Sequence, residues 1–258
     1  MGAMLGVGAI TAGCSDDSNN TKPTAEEYDD TAQAIGSTTA TSNGGSTSGG
    51  DMASMSDTVQ LALGVTPPGI TLAGDGHFET SKLGLAYSYS LTCTTAGNAA
   101  PCGPTSDTAS ADVKWSGNLN TDAVQASVTR DGSWNVSGLQ TSQVTFNGDS
   151  SFTFDATLKS IFRPGVTTTY NFDTSAHYDT VVIDKGSRAA VSGSATFDVN
   201  AKHMVTGSNN NVDASFSVNA ELTFNGNGTA NLTLDGSQHY TVNLDTGAVV
   251  RVTAATTN

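Results

Sequence analysis

Three cysteines, four histidines and a scatter of carboxylates are the residues of this 258-residue chain that could do chemistry. The histidines are His77, His177, His203 and His239. No two stand at the i, i+4 spacing of a helical metal pair, and no Cys/His cluster surrounds them, so no metal site is expected. Asp173 and Asp179 form a carboxylate pair that could flank a cleft. A glycosidase would also need aromatic sugar platforms. Trp115 and Trp134, the two tryptophans, each fall in a strand pattern where core packing is the default. The chain has no G-x-S-x-G elbow, P-loop or H-E-x-x-H pair. Gly74-Asp75-Gly76 and Asn225-Gly226-Asn227-Gly228 lack the acidic spacing of a Ca²⁺ loop and read as turns. The expectation is therefore no catalytic residue, no metal and no cofactor.

The cysteines divide as one plus two: Cys14 near the N-terminus, then Cys93 and Cys102 close together. That arithmetic pairs Cys93 with Cys102 in a disulfide and leaves Cys14 for another purpose. A disulfide implies an oxidising compartment. Closing so short a loop contributes roughly 2–3 kcal/mol. Residues 1–13 (MGAMLGVGAITAG) are apolar and small, too short to span a bilayer, and read as a signal peptide.

The stretch Ile10-Thr11-Ala12-Gly13-Cys14 resembles a bacterial lipobox, matching at Ala12, Gly13 and Cys14 and departing at Thr11, where Leu is usual. The resemblance implies cleavage before Cys14, lipidation (palmitate included) of that cysteine, and a membrane partner reached through the lipid. In Gram-negative lipoproteins an Asp after the cysteine signals inner-membrane retention. Here Ser15 follows, which implies the outer membrane or cell surface. Residues 14–23 then form a lipidated polar tether.

The elements that must position anything else follow from periodicity. Residues 24–69 predict two short helices around a Ser/Thr/Gly-rich linker at 37–50. Thr24 and Glu27 have capping-box spacing; Tyr28, Ala32 and Ile35 share a face, and Gly36 can stop the first helix. Met52, Met55, Val59 and Leu63 stripe the second, ended by Gly64 and Pro67-Pro68. Each is too short to stand alone and must dock on a sheet.

From residue 70 to 258 the period is two, the signature of half-buried strands. The clearest run is Val212 to Phe224, followed by runs around Leu232, Val242 and Val250. Earlier strands are expected at Leu85 to Leu91, Ala111 to Trp115, Val124 to Val128, Trp134 to Leu139, Val144 to Phe146, Phe152 to Leu158, Thr168 to Phe172, Tyr178 to Ile183 and Val191 to Val199. Asp131-Gly132, Asn147-Gly148, Asn225-Gly226, Asn227-Gly228 and Asp235-Gly236 read as hairpin turns. The fold class is mainly β: a long antiparallel meander of about ten to twelve strands, as a curved sheet or partly open barrel with two short N-terminal helices.

In outline this resembles the unclosed, helix-covered half-barrels of bacterial lipid-carrier lipoproteins, and the β half resembles lipoproteins of environmental bacteria with no assigned activity. A net charge of −14 repels nucleic acid and excludes it as a partner. An integral barrel would make a lipid anchor redundant and would carry aromatic girdles that this chain lacks. The reading is a lipid-anchored cell-envelope protein with a non-catalytic structural or interaction role. The alternative is a carrier of an apolar, lipid-like molecule in a cavity between sheet and helices. Small residues on the apolar faces (Ala190, Ala195, Ala214, Ala220, Ala230) leave room for close helix packing or for such a cavity.

Overall fold

The computed structural model describes residues 22–41, 50–74, 76–82, 85–121, 124–160, 165–207 and 212–252. The expected signal segment and Cys14 lie outside the described residues.

Two helices precede the sheet. α1 (Ala25–Thr39) starts on the expected capping box: Glu27 N–H donates to Thr24 Oγ1 at 3.2 Å, and Thr24 N–H to Glu27 Oε2 at 2.7 Å. These bonds satisfy two donors that a helix start leaves orphaned. Gly36 does not end α1, which runs on to Thr39. Its small size serves packing instead: a Cβ at Gly36 would lie 2.6 Å from the carbonyl oxygen of Gly247. α2 (Asp51–Ala62) carries the expected stripe, with Met52, Met55 and Val59 buried.

The strands are β1 (Thr71–Gly74), β2 (His77–Lys82), β3 (Leu85–Thr95), β4 (Asn98–Ala100), β5 (Thr108–Asn120), β6 (Val124–Ser137), β7 (Gln143–Lys159), β8 (Thr167–Asp184), β9 (Ala190–Thr206), β10 (Val212–Phe224), β11 (Thr229–Leu234), β12 (Gln238–Asn243) and β13 (Val249–Arg251). Among the described residues they make one 13-stranded antiparallel sheet in chain order, with β4 as a side branch on β3. Every partner is thus close in sequence, which only hairpin connections allow. β1 and β13 stand at opposite ends of the order and do not pair, so the sheet is curved but unclosed. α2 packs on β3, β5 and β6, and α1 on β11, β12 and β13, so the helices lie across the concave side and touch both halves of the sheet.

Two expected turns are corrected. Asp131-Gly132 lies inside β6, and Asn147-Gly148 inside β7, so four expected short strands merge into two long ones. Both glycines serve close approach rather than reversal. A Cβ at Gly132 would stand 2.6 Å from the Trp134 ring, and one at Gly148 would stand 2.0 Å from the Ser133 carbonyl oxygen. At Gly148 the β7–β8 register shifts, and beyond Asp179 the β8–β9 register shifts. Bulges of this kind bend strands and raise twist, helping the sheet curl around the helices. The runs Thr168 to Phe172 and Tyr178 to Ile183 likewise join as β8. The turns expected at Asn225–Gly228 and Asp235-Gly236 do connect β10 to β11 and β11 to β12.

Candidate functional site

Cross-strand register divides the concave face into rows. One row runs Gly132, Ser150, Ala176 and Phe197 across β6 to β9. Its small members make a trough, and the first residue of α2 drops into it. Asp51 is 2% exposed. Its Oδ2 accepts from Tyr178 Oη at 2.6 Å and from Ser150 Oγ at 2.9 Å. Its Oδ1 meets Arg130 Nη2 at 2.5 Å as an ion contact. Arg130, itself 4% exposed, also donates from Nη2 to the Thr38 carbonyl at the end of α1. One carboxylate therefore joins α1, α2 and three strands. Burial, and then the Asp51 charge, hold the Tyr178 phenol well above its ordinary pKa. Trp134 packs edge-on to Tyr178 at 5.5 Å and seals the cluster. Ile35 of α1 and Met52, Met55 and Leu61 of α2 are fully buried, so side chains fill the space between helices and sheet. The small residues Ala195, Ala220 and Ala230 are buried here and serve close packing.

A second tie sits midway along α2. Tyr89 Oη donates to Asp57 Oδ2 at 3.2 Å. Burial raises the Asp57 carboxyl above its usual range, opposed by that hydrogen bond and by the charge of Arg188. Nearby, Cys93 and Cys102 are joined as a disulfide, the pairing expected from their count. It closes the β3–β4 corner, where the Gly103 N–H donates to the Ala62 carbonyl at 3.0 Å.

Two rows farther along the strands the concave face changes character. Val128, Phe154, Phe172, Ala201 and Phe216 stand in register across β6 to β10. The next row is Ala126, Ala156, Tyr170, His203 and Ala214. Its polar members stack: the Tyr170 and His203 rings are 4.7 Å apart. Phe152 links this region to Trp115 at 6.1 Å and to Phe172 at 6.3 Å. Val128, Phe154, Phe172 and Phe216 are only half-buried. The strip is an aromatic surface left partly open, and the first turns of α1 border it. The charge of Asp30 acts on Tyr170 and that of Glu27 on His203. Burial lowers the His203 pKa, with Glu27 opposing. Partial desolvation, and then repulsion from Asp29, Glu26 and Glu27, raise Asp30.

The remaining histidines are dispersed on outward positions. His77 contacts Ser90 and Glu79, His177 contacts Asp149, and His239 contacts Thr233. Among the described residues no three potential metal ligands gather. Asp173 and Asp179 are exposed on β8 and do not come together. Trp134 is core, as expected, and Trp115 is 8% exposed. Two shallow, open dents mark the sheet among the described residues, both lined mainly by polar side chains. One, of about 600 Å³, lies between Glu79, Ser88, Lys114 and Asp131.

Sequence reasoning missed the Asp51–Arg130 pair and the aromatic strip. Arg130 on an otherwise apolar alternation was the available signal for the first, because a charge on a buried face demands a partner. For the second, Phe152, Phe154, Phe172 and Phe216 fall on alternating strand positions like any others, and the sequence carries no signal that sets them apart. Compared with known proteins, the chain matches no protein-family model, no curated protein and no solved structure.

Proposed function

We propose that this chain is a lipid-anchored cell-envelope protein, tethered through Cys14 at the outer membrane or cell surface, with a non-catalytic interaction role. The observation that carries the interaction role is the division of the concave face: filled and ion-paired under the helices, aromatic and half-exposed beyond them. The buried ionisable groups are engaged in joining helices to sheet, and an apolar surface left partly open is what a contact site needs. The Cys93–Cys102 bond supports an oxidising compartment. The alternative, a carrier of an apolar molecule, draws support from the same open strip; the space beneath the helices is filled by side chains.

The anchoring test is metabolic labelling with an alkyne palmitate analogue in a bacterial host. The wild-type chain should take up label and sediment with membranes, and Cys14→Ser should do neither. An unlabelled, freely soluble wild-type chain would overturn the anchor.

A further inference from the structure

β10 is paired on one side along nearly its whole length and on the other along less than half. β9 runs beside it from Val212 to Thr223, but β11 joins only from Ala220 to Phe224. Asp235 closes that second ladder. Its N–H donates to the Asn219 carbonyl at 2.8 Å, and its Oδ1 accepts from the Asn219 N–H at 2.9 Å. Backbone groups in an antiparallel strand alternate sides. With Asn219 facing outward, the N–H and C=O of Ser217, Ser215 and Asp213 face outward too, while Phe216 and Val218 bond toward β9. Among the described residues no strand takes up those three outward pairs. The open stretch is roughly 20 Å long, one ordinary strand.

The same edge borders both features of the strip. Phe216 shows its ring on the concave side, in row with Phe172. Asp235 also accepts from Tyr28 Oη at 2.8 Å, which brings the acidic first turns of α1 to the end of the open edge. There Arg251 neutralises Asp29. Glu26 and Asp30 have no cation within ion-pair distance among the described residues.

We propose that the open edge of β10 receives an extended peptide segment of a protein partner as an added strand, with alternate apolar side chains on the aromatic strip and a lysine or arginine drawn to Glu26 and Asp30. Main-chain bonds to Asp213, Ser215 and Ser217 supply affinity, and the strip and the acids supply selectivity, as in other strand-addition modes. The inference rests on the interaction reading above and names its partner class. It does not depend on the lipid, so labelling at Cys14 and peptide binding fail separately.

The test uses the full chain carrying Cys14→Ser and the peptide KTVTFTVK, acetylated at its N-terminus and amidated at its C-terminus, followed by calorimetry and amide hydrogen exchange. One peptide should bind per chain, with slowed exchange at the Ser215 and Ser217 amides; Phe216 and Val218 should already be slow. Ser215→Pro removes one outward N–H without touching the β9 ladder, and should weaken binding at least about tenfold. Glu26→Gln with Asp30→Asn should weaken KTVTFTVK at low salt, yet leave the peptide STVTFTVS, blocked at both ends and so uncharged, unchanged. Absence of binding, or binding without protection at Ser215 and Ser217, overturns strand addition even where Ser215→Pro fails to fold. Decyltrimethylammonium that saturates the strip and expels the peptide would assign it to a small amphipathic cation instead. A chain that dimerises and stays dimeric when peptide is added would assign the edge to a second copy.

Discussion

β6, β7 and β8 each pass through two environments on the same concave face. At Trp134, Gly148 and Tyr178 they meet helices; the Trp134 and Tyr178 side chains are buried, and the Tyr178 hydroxyl is tied to Asp51. Along the same strands at Val128, Phe154 and Phe172 they meet no comparable tie, and the aromatic side chains stay half-exposed. Strand pattern and hydrophobicity are alike in both regions. What differs is small residues: Gly132, Ser150 and Ala176 open a trough that lets a helix end approach, whereas the phenylalanine row fills the space a helix would need. Side-chain volume, and not apolarity alone, thus separates the row that receives Asp51 from the phenylalanine row.

The largest effect on this contrast should come from alkali. All six tyrosines hold folded-state pKa values above the ordinary range, with burial the first cause for each. Tyr240 is pushed up to about 12. A phenol raised in the folded state contributes stability that is whole below its unfolded pKa of about 10 and drains away as pH climbs through the folded value. Stability should thus fall steeply above that pH. Ultraviolet phenolate titration alongside circular dichroism should show Tyr170, in the open region, ionising before Tyr178, which ionises only as the chain unfolds. Six phenolates appearing together in a folded chain would erase the distinction.

Next in size is Arg130→Ala, which strands the Asp51 carboxylate in the interior and should cost roughly 3–5 kcal/mol in urea unfolding. A cost below about 1 kcal/mol would mean that water reaches Asp51 and that the seal is not real. Phe146→Ala, at a fully buried ring under the helices, should cost about 3–5 kcal/mol, and Phe172→Ala in the strip less than about half of that. Equal losses would show that the strip is core after all. Thr24→Ala, which removes the N-cap acceptor of α1, should cost about 1 kcal/mol. A thermal melt resolves it, and no change would show that the first turn is held by Tyr28 and Arg251 alone.

Much of the architecture was legible in the residues. Alternation from Val212 to Phe224 marked β10 to the residue, and Thr24 with Glu27 marked the start of α1, because both signals are local. The misread positions are those where a distant neighbour decides. Gly132 and Gly148 carry turn chemistry in their dipeptides, yet a tryptophan ring and a carbonyl from the next strand fix their use. Gly36 reads as a helix stop until Gly247 arrives against it from more than two hundred residues away. The open edge of β10 could not be seen either. It arises because β10 has 13 residues and β11 only 6, and which end of the longer strand is left unpaired depends on where the turn falls.

The order of the sheet sets an order of events in assembly. Each strand zips onto the one made just before it, save β5, which passes over β4 to β3, a run of short-range closures that favours quick pairing as the chain emerges. The helices cannot join in that way. α1 is made before any strand, but apart from the Arg130 bond to Thr38 its long-range bonds run to Asp235, Gly247 and Arg251 at the other end of the chain. Of the described elements, the one made first is thus the last to find its place. Until β13 arrives, α1 and the concave face it will cover remain without each other, and any chaperone that escorts this chain has that interval in which to act.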